Sequence, residues 1–164
     1  MSNNHHSKGG KPKHKNDEDL RNEGIVLIQN AIKARNLSES LLDSIYDNRA
    51  TVADINWACY MISQSIELSI KGLIKYYYES FREGHFVANN AKILESLSEK
   101  YSELREISNT LVELQGRYAV MLSRWSALGR YKALYVNKKE IEKADDLLDD
   151  IIKFLHRHHY ECES

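Results

Sequence analysis

The chain has 164 residues, 42% hydrophobic and 29% charged, with a formal net charge of -1; these are the proportions of one soluble globular domain with a single core. The near-neutral balance excludes a global field that would draw in nucleic acid or membrane, so any such binding must rest on a local patch. No stretch reaches the ~18 apolar residues of a membrane span, and the N-terminus lacks the apolar segment of a signal peptide. Cys59 falls in a helical apolar seam and Cys162 in the tail, so no structural disulfide is expected and a reducing, cytoplasmic setting is.

Residues 1–16 carry one apolar side chain, and Lys8, Lys11, Lys13 and Lys15 have no acidic neighbour. The segment predicts a disordered basic tail. It reads either as a phosphate-touching arm or as an unselected solvated tail. Asp17-Glu18-Asp19 places acids at the positive end of a helix running to about Arg35 through Leu20, Leu27, Ala31 and Ile32. Gly24 weakens that helix by ~1 kcal/mol relative to Ala. Ser38 and Glu39 open a short second helix with Leu41, Leu42, Ile45 and Tyr46.

Thr51 and Asp54 form a capping arrangement for a long central helix expected to reach about Arg82, with Gly84 as its stop. Asn89 or Asn90 caps the next helix, with Ile93, Leu94 and Leu97 inward. A further helix is expected from Ser102 to about Trp125, carrying Leu104, Ile107, Leu111, Leu114 and Tyr118. Gly129 to Val136 is a break. Asn137 and Glu140 start the last helix, whose seam is Ile141, Ala144, Leu148, Ile151 and Leu155. No segment alternates with period two, and Pro12 is the single proline. The expected fold is all-α: an up-and-down bundle with extra N-terminal helices, in one domain spanning 17–160.

On the central helix Gln64, Glu67 and Lys71 recur at steps of three and four and share one face. They read either as a solvated stripe with a weak Glu67–Lys71 pair or as the wall of an interface or pocket. Asp145, Asp146, Asp149 and Asp150 have the spacing to share a magnesium ion, but no second acidic helix faces them. They are read as a solvated acidic face. His156, His158 and His159 lie near the C-terminus and His85 in a turn; no structural metal site and no cofactor is expected. Tyr76, Tyr77 and Tyr78 cannot all face one way, which leaves a tyrosine for solvent or a protein contact.

Gln64-x-x-Glu67-x-x-x-Lys71 in an Ala/Ile/Leu-rich helix, the break at Gly84, the helix start from Asn89 to Leu94, the Arg130-Tyr131 pair and the closing amphipathic helix come in a set order. That ordered set resembles the HEPN family (higher eukaryotes and prokaryotes nucleotide-binding) over about residues 50–156. The resemblance implies a helical bundle, often dimeric. Many members are metal-independent ribonucleases with an Arg, four to six residues, then a His. After Arg124 the positions open to that His hold Gly129, Arg130 and Tyr131. The resemblance is therefore to short members that lack the catalytic His and are commonly encoded beside a small nucleotidyltransferase, in toxin–antitoxin pairs.

Two arginines, Arg124 and Arg130, with Tyr131 or Trp125 beside them, suit a phosphate and a stacked base. They equally suit ion pairs with Glu67 or other carboxylates of the bundle. Three function classes follow. The first is a dimeric binding and assembly module that associates with a nucleotidyltransferase and contacts a nucleotide phosphate through Gln64, Glu67, Lys71, Arg124, Arg130 and Tyr131. The second is a toxin-type RNA-cleaving enzyme with an altered set in which Tyr131 serves as base, a poor match to neutral pH for an ordinary phenol. The third is a ligand-free structural bundle. The missing His favours the first and leaves catalytic residues unassigned.

Overall fold

The computed structural model describes residues 16–84 and 87–163. The expected basic tail and His85 lie outside them, save Asn16, which is the N-cap of the first helix. Its side chain accepts from the Asp19 amide at 2.8 Å, and Asp17, Glu18 and Asp19 fill the first turn. This helix, α1, spans Asp17–Tyr46 without interruption. The expected division at Ser38 is absent because nothing there breaks a helix. Ser38 and Ser40 turn their hydroxyls back onto the carbonyls of Arg35 and Leu37 (2.8 and 2.7 Å) instead of capping a new turn.

The central helix α2 spans Val52–Tyr76 and opens with a reciprocal capping box between Thr51 and Asp54. It lies antiparallel to α1, Gly72 meeting Gly24 and Ser65 donating to the carbonyl of Ala31 at 2.7 Å. It stops before the expected Arg82. Tyr78 takes a left-handed φ of 64°, its amide donates to Lys75 and the Glu79 amide to Ile74. This pair of bonds closes a helix end in the manner usually left to glycine. The same device ends α1 at Asn48 (φ 59°) and the last helix at His159 (φ 56°). Gly84, with a φ of 93°, belongs to the following loop.

Helix α3 (Val87–Lys100) contains both Asn89 and Asn90. Asn90 is not a cap but is buried, and its side-chain amide closes onto the backbone of Arg82 from both sides, at 2.7 and 3.0 Å. The expected single helix from Ser102 to Trp125 is divided. A 3-10 turn (Ser102–Leu104), the short α4 (Arg105–Thr110) and a second 3-10 turn (Leu111–Gln115) precede an extended Gly116, and α5 runs Arg117–Leu128. Leu104, Ile107, Leu111 and Leu114 remain buried, because steps of three and four hold one face in either helix type. Helix α6 (Lys138–Arg157) has the expected Asn137–Glu140 capping box and buries its whole predicted seam.

The six α-helices form an all-α bundle, with no strand among the described residues. Helix α2 sits at its centre and touches α1, α3, α5 and α6. Ile62, Ile66, Ile70, Leu73 and Ile74 of α2 pack there with Leu94, Leu122, Trp125, Leu148 and Phe154. No described helix is long and apolar enough to cross a membrane.

Candidate functional site

Because neighbours surround α2, its polar residues go inward. Glu67 and Lys71 are only 6% and 8% exposed. Lys71 Nζ lies 2.8 Å from Glu67 Oε1, donates to the Gly84 carbonyl at 3.1 Å, and sits 5.1 Å from the Phe81 ring. The Ser126 hydroxyl of α5 reaches Glu67 Oε2 at 3.3 Å and Ser63 Oγ at 2.8 Å, and Gln64 Nε2 approaches Glu67 at 3.5 Å. The group ties α2 to α5 and to the loop after α2. The solvated stripe is thus a buried polar seam built on the Glu67–Lys71 pair.

Arg130 and Tyr131 lie on the outside. The turn after α5 presses onto the first half of α2: a β-carbon at Gly129 would lie 3.1 Å from Tyr60 Cβ and 2.7 Å from the Trp125 carbonyl oxygen. Asn56 clamps the same turn, donating to the Lys132 carbonyl at 2.7 Å and accepting from the Leu134 amide at 2.9 Å. The Arg130 guanidinium stands 5.1 Å from the Tyr60 ring and 5.3 Å from that of Tyr131, and Trp57 meets Tyr60 edge-on at 5.7 Å. Tyr131 is 74% exposed.

The six sequence-predicted residues therefore divide. Gln64, Glu67 and Lys71 form one group within the bundle. Arg130 and Tyr131 join Trp57 and Tyr60 on the surface about two turns of α2 away. Arg124 is exposed and lines a separate groove of about 340 Å³ with Arg117, Trp125, Leu134 and Tyr135. Among the described residues no ion pair joins Arg124 or Arg130 to a carboxylate. The separation follows from Gly129, which docks the turn at Asn56 and Tyr60 rather than at Glu67.

The acidic helix is not wholly solvated either. Buried Arg35 pairs with Asp145, with Glu39 at 3.1 Å and with Asp149 at 3.6 Å. Burial pushes the Asp145 carboxyl above its usual range, against the pull of Arg35. Among the described residues no group of three or more His, Cys, Asp or Glu is placed to hold a metal ion. Cys59 is buried and Cys162 exposed, both as free thiols.

The sequence reading passed over Asn56, Trp57, Tyr60 and Arg35. The spacing of Trp57 and Tyr60 put two aromatics on one face at the start of α2, which was a usable signal. Nothing in the sequence tied Asn56 to a turn some eighty residues on.

A family model for the HEPN domain matches residues 26–159. The chain belongs to the HEPN family. No curated protein and no solved structure gave a match. The HEPN match begins inside α1 and ends at the close of α6. The HEPN nuclease motif would put its His at 129, 130 or 131. The packing of Gly129 on Tyr60 and the Trp125 carbonyl leaves no room for an imidazole at the first of these unless the turn moves.

Proposed function

We propose that this HEPN chain is a binding and assembly module: a two-fold dimer that docks a small nucleotidyltransferase and contacts a nucleotide phosphate. The observation that carries the reading is the surface ladder of Trp57, Tyr60, Arg130 and Tyr131, held by the Asn56 clamp and the tight seat of Gly129. Trp, Tyr and Arg are the residues that dominate contact energies when presented on a rigid frame. A guanidinium between two phenol rings can take a phosphate oxygen while a ring stacks on a base. Arg124, on the other flank of the same turn, adds a second cation that has no ion pair among the described residues. Glu67, Lys71 and Gln64 support the module from within, as the seam that joins α2 to α5.

Trp57 emission reports on this surface, because the second tryptophan, Trp125, is buried. Titration with AMP and ATP should quench it saturably, and Arg130→Ala should remove the response while leaving the melting curve in place. Light scattering should give a dimer mass. A monomer at tens of micromolar, together with emission unchanged by any nucleotide, would overturn the reading. RNA cleavage in the presence of chelator that depends on Arg124 would replace it with the enzymatic one.

A further inference from the structure

A second polar cleft lies apart from the Trp57–Tyr131 ladder, where α5 faces the start of α6. Its volume is about 820 Å³, within the range of small-molecule sites. Arg117 and Tyr118 line one wall, Lys139 and Lys143 the other, and Met121 gives an apolar patch. Two acids also border it, and both are engaged. Glu140 closes the Asn137 capping box, and Glu113 lies 3.7 Å from Lys143. Arg117 and Lys139 have no ion pair or hydrogen bond among the described residues, so the cleft keeps a positive surplus.

The Tyr118 hydroxyl oxygen is shielded from solvent and has no hydrogen-bond partner among the described residues. Lys143 Nζ stands 5.1 Å from its ring. Burial, with the nearby charges of Glu113 and Asp146, raises the phenol above its usual value. It stays protonated at neutral pH and has a proton to donate. A buried hydroxyl left unmatched costs about 1–3 kcal/mol, and a small turn of the Tyr118 ring toward an acceptor in the cleft would relieve that cost.

We infer that this cleft binds a small oxyanion-bearing molecule, its phosphate or carboxylate held between Arg117 and Lys139 and accepting the Tyr118 hydroxyl proton. Lys143 adds charge at the inner wall, and Met121 with the Tyr118 ring takes a short apolar part. The site shares no residue with the Arg130–Tyr131 surface; Arg117 also lines the Arg124 groove, whereas Tyr118, Lys139 and Lys143 belong to this cleft and not to that groove.

The test is calorimetric titration of the full chain with inorganic pyrophosphate and, separately, with succinate, which tells phosphate from carboxylate. One of the two should bind saturably. Arg117→Ala and Lys139→Ala, both exposed positions whose removal leaves the core intact, should each weaken binding about tenfold or more. Tyr118→Phe should weaken it by a smaller factor, and Arg130→Ala should leave it unchanged. The inference fails if neither anion binds at millimolar concentration. It also fails if binding survives both cation removals. Loss in Arg130→Ala would assign the anion to the other surface, and binding of an oligouridylate alone would show the cleft to be no small-molecule site.

Discussion

Gly24 of α1 and Gly72 of α2 touch backbone to backbone. A β-carbon on Gly24 would come within 2.7 Å of the Gly72 carbonyl oxygen, and one on Gly72 within 2.9 Å of the Gly24 carbonyl oxygen and 2.7 Å of Ile28 Cγ1. Both glycines are helical and cost their helices some intrinsic stability. That cost is offset by the close approach, which also brings Ser65 onto the Ala31 carbonyl. Ala at either position relieves the helix and overfills the crossing. The obstacles are mostly backbone atoms that cannot rotate away, so overfilling wins. Each variant should lose about 1–3 kcal/mol in denaturant melts. Either variant proving more stable than the parent would show that helix propensity governs here.

The buried seam and the surface ladder should respond differently to mutation. Lys71→Met breaks the buried ion pair with Glu67 and removes the tie to the Gly84 carbonyl. A loss of about 3 kcal/mol is expected. Adding Glu67→Gln to it should return part of the loss, since the buried side chain that faced Lys71 is then neutral. Arg130→Ala removes only surface ring contacts and should shift stability by about 0.5 kcal/mol or less. Thermal melts of the four proteins, including the double variant, check the ordering. Equal losses for Lys71→Met and Arg130→Ala would contradict it.

Alkaline stability is governed by buried acids. The Tyr77 and Tyr160 hydroxyls lie 2.6 Å apart, with Glu103 at 3.1 Å from Tyr77. Burial is the main cause that raises both phenols. Burial also pushes the Cys59 thiol from 9.0 up to about 12. Each of these groups holds its proton more tightly folded than unfolded. Their contribution is therefore complete below the unfolded values and is lost as pH rises through the folded ones. Urea midpoints should hold level to about pH 8 and then fall, first from the thiol and above about pH 10 from the phenols. Tyr160→Phe should flatten the upper part of that fall. An alkylating reagent at pH 8 should modify one thiol, Cys162, in the folded protein and both in urea.

Much of the fold was legible because helices are specified locally. Thr51 with Asp54, Asn137 with Glu140, and the α6 seam are interactions within one or two turns, and each is formed as read. The helix stops were harder to read. Asn48, Tyr78 and His159 all take the left-handed φ that glycine usually supplies at a helix end, whereas the stop expected for α2 was Gly84. The site residues were legible by type and not by direction. Gln64, Glu67 and Lys71 do share a face, but only the arrangement of α5 and the loop after α2 makes that face internal. The Asn56 clamp spans 76 and 78 residues of sequence to Lys132 and Leu134, and no local pattern encodes it.

Arg35 gives the last prediction, with a sign that pH can test. It is buried, and Asp145, Asp149 and Glu39 surround its guanidinium. Asp145 already titrates above its ordinary value because burial outweighs the attraction of Arg35, with Asp146 and Asp149 adding to the rise. Arg35→Met keeps much of the packing and removes the opposing attraction, so the carboxyl of Asp145 rises further. A carboxyl raised by folding favours the native state while it is protonated, and that benefit disappears as pH climbs through its folded value. The variant should therefore lag the parent most at neutral pH, by about 3 kcal/mol. The gap should narrow as the acids protonate toward pH 4. Urea unfolding of both proteins at several pH values between these limits measures it, and a gap independent of pH would show that Arg35 acts through its packing alone.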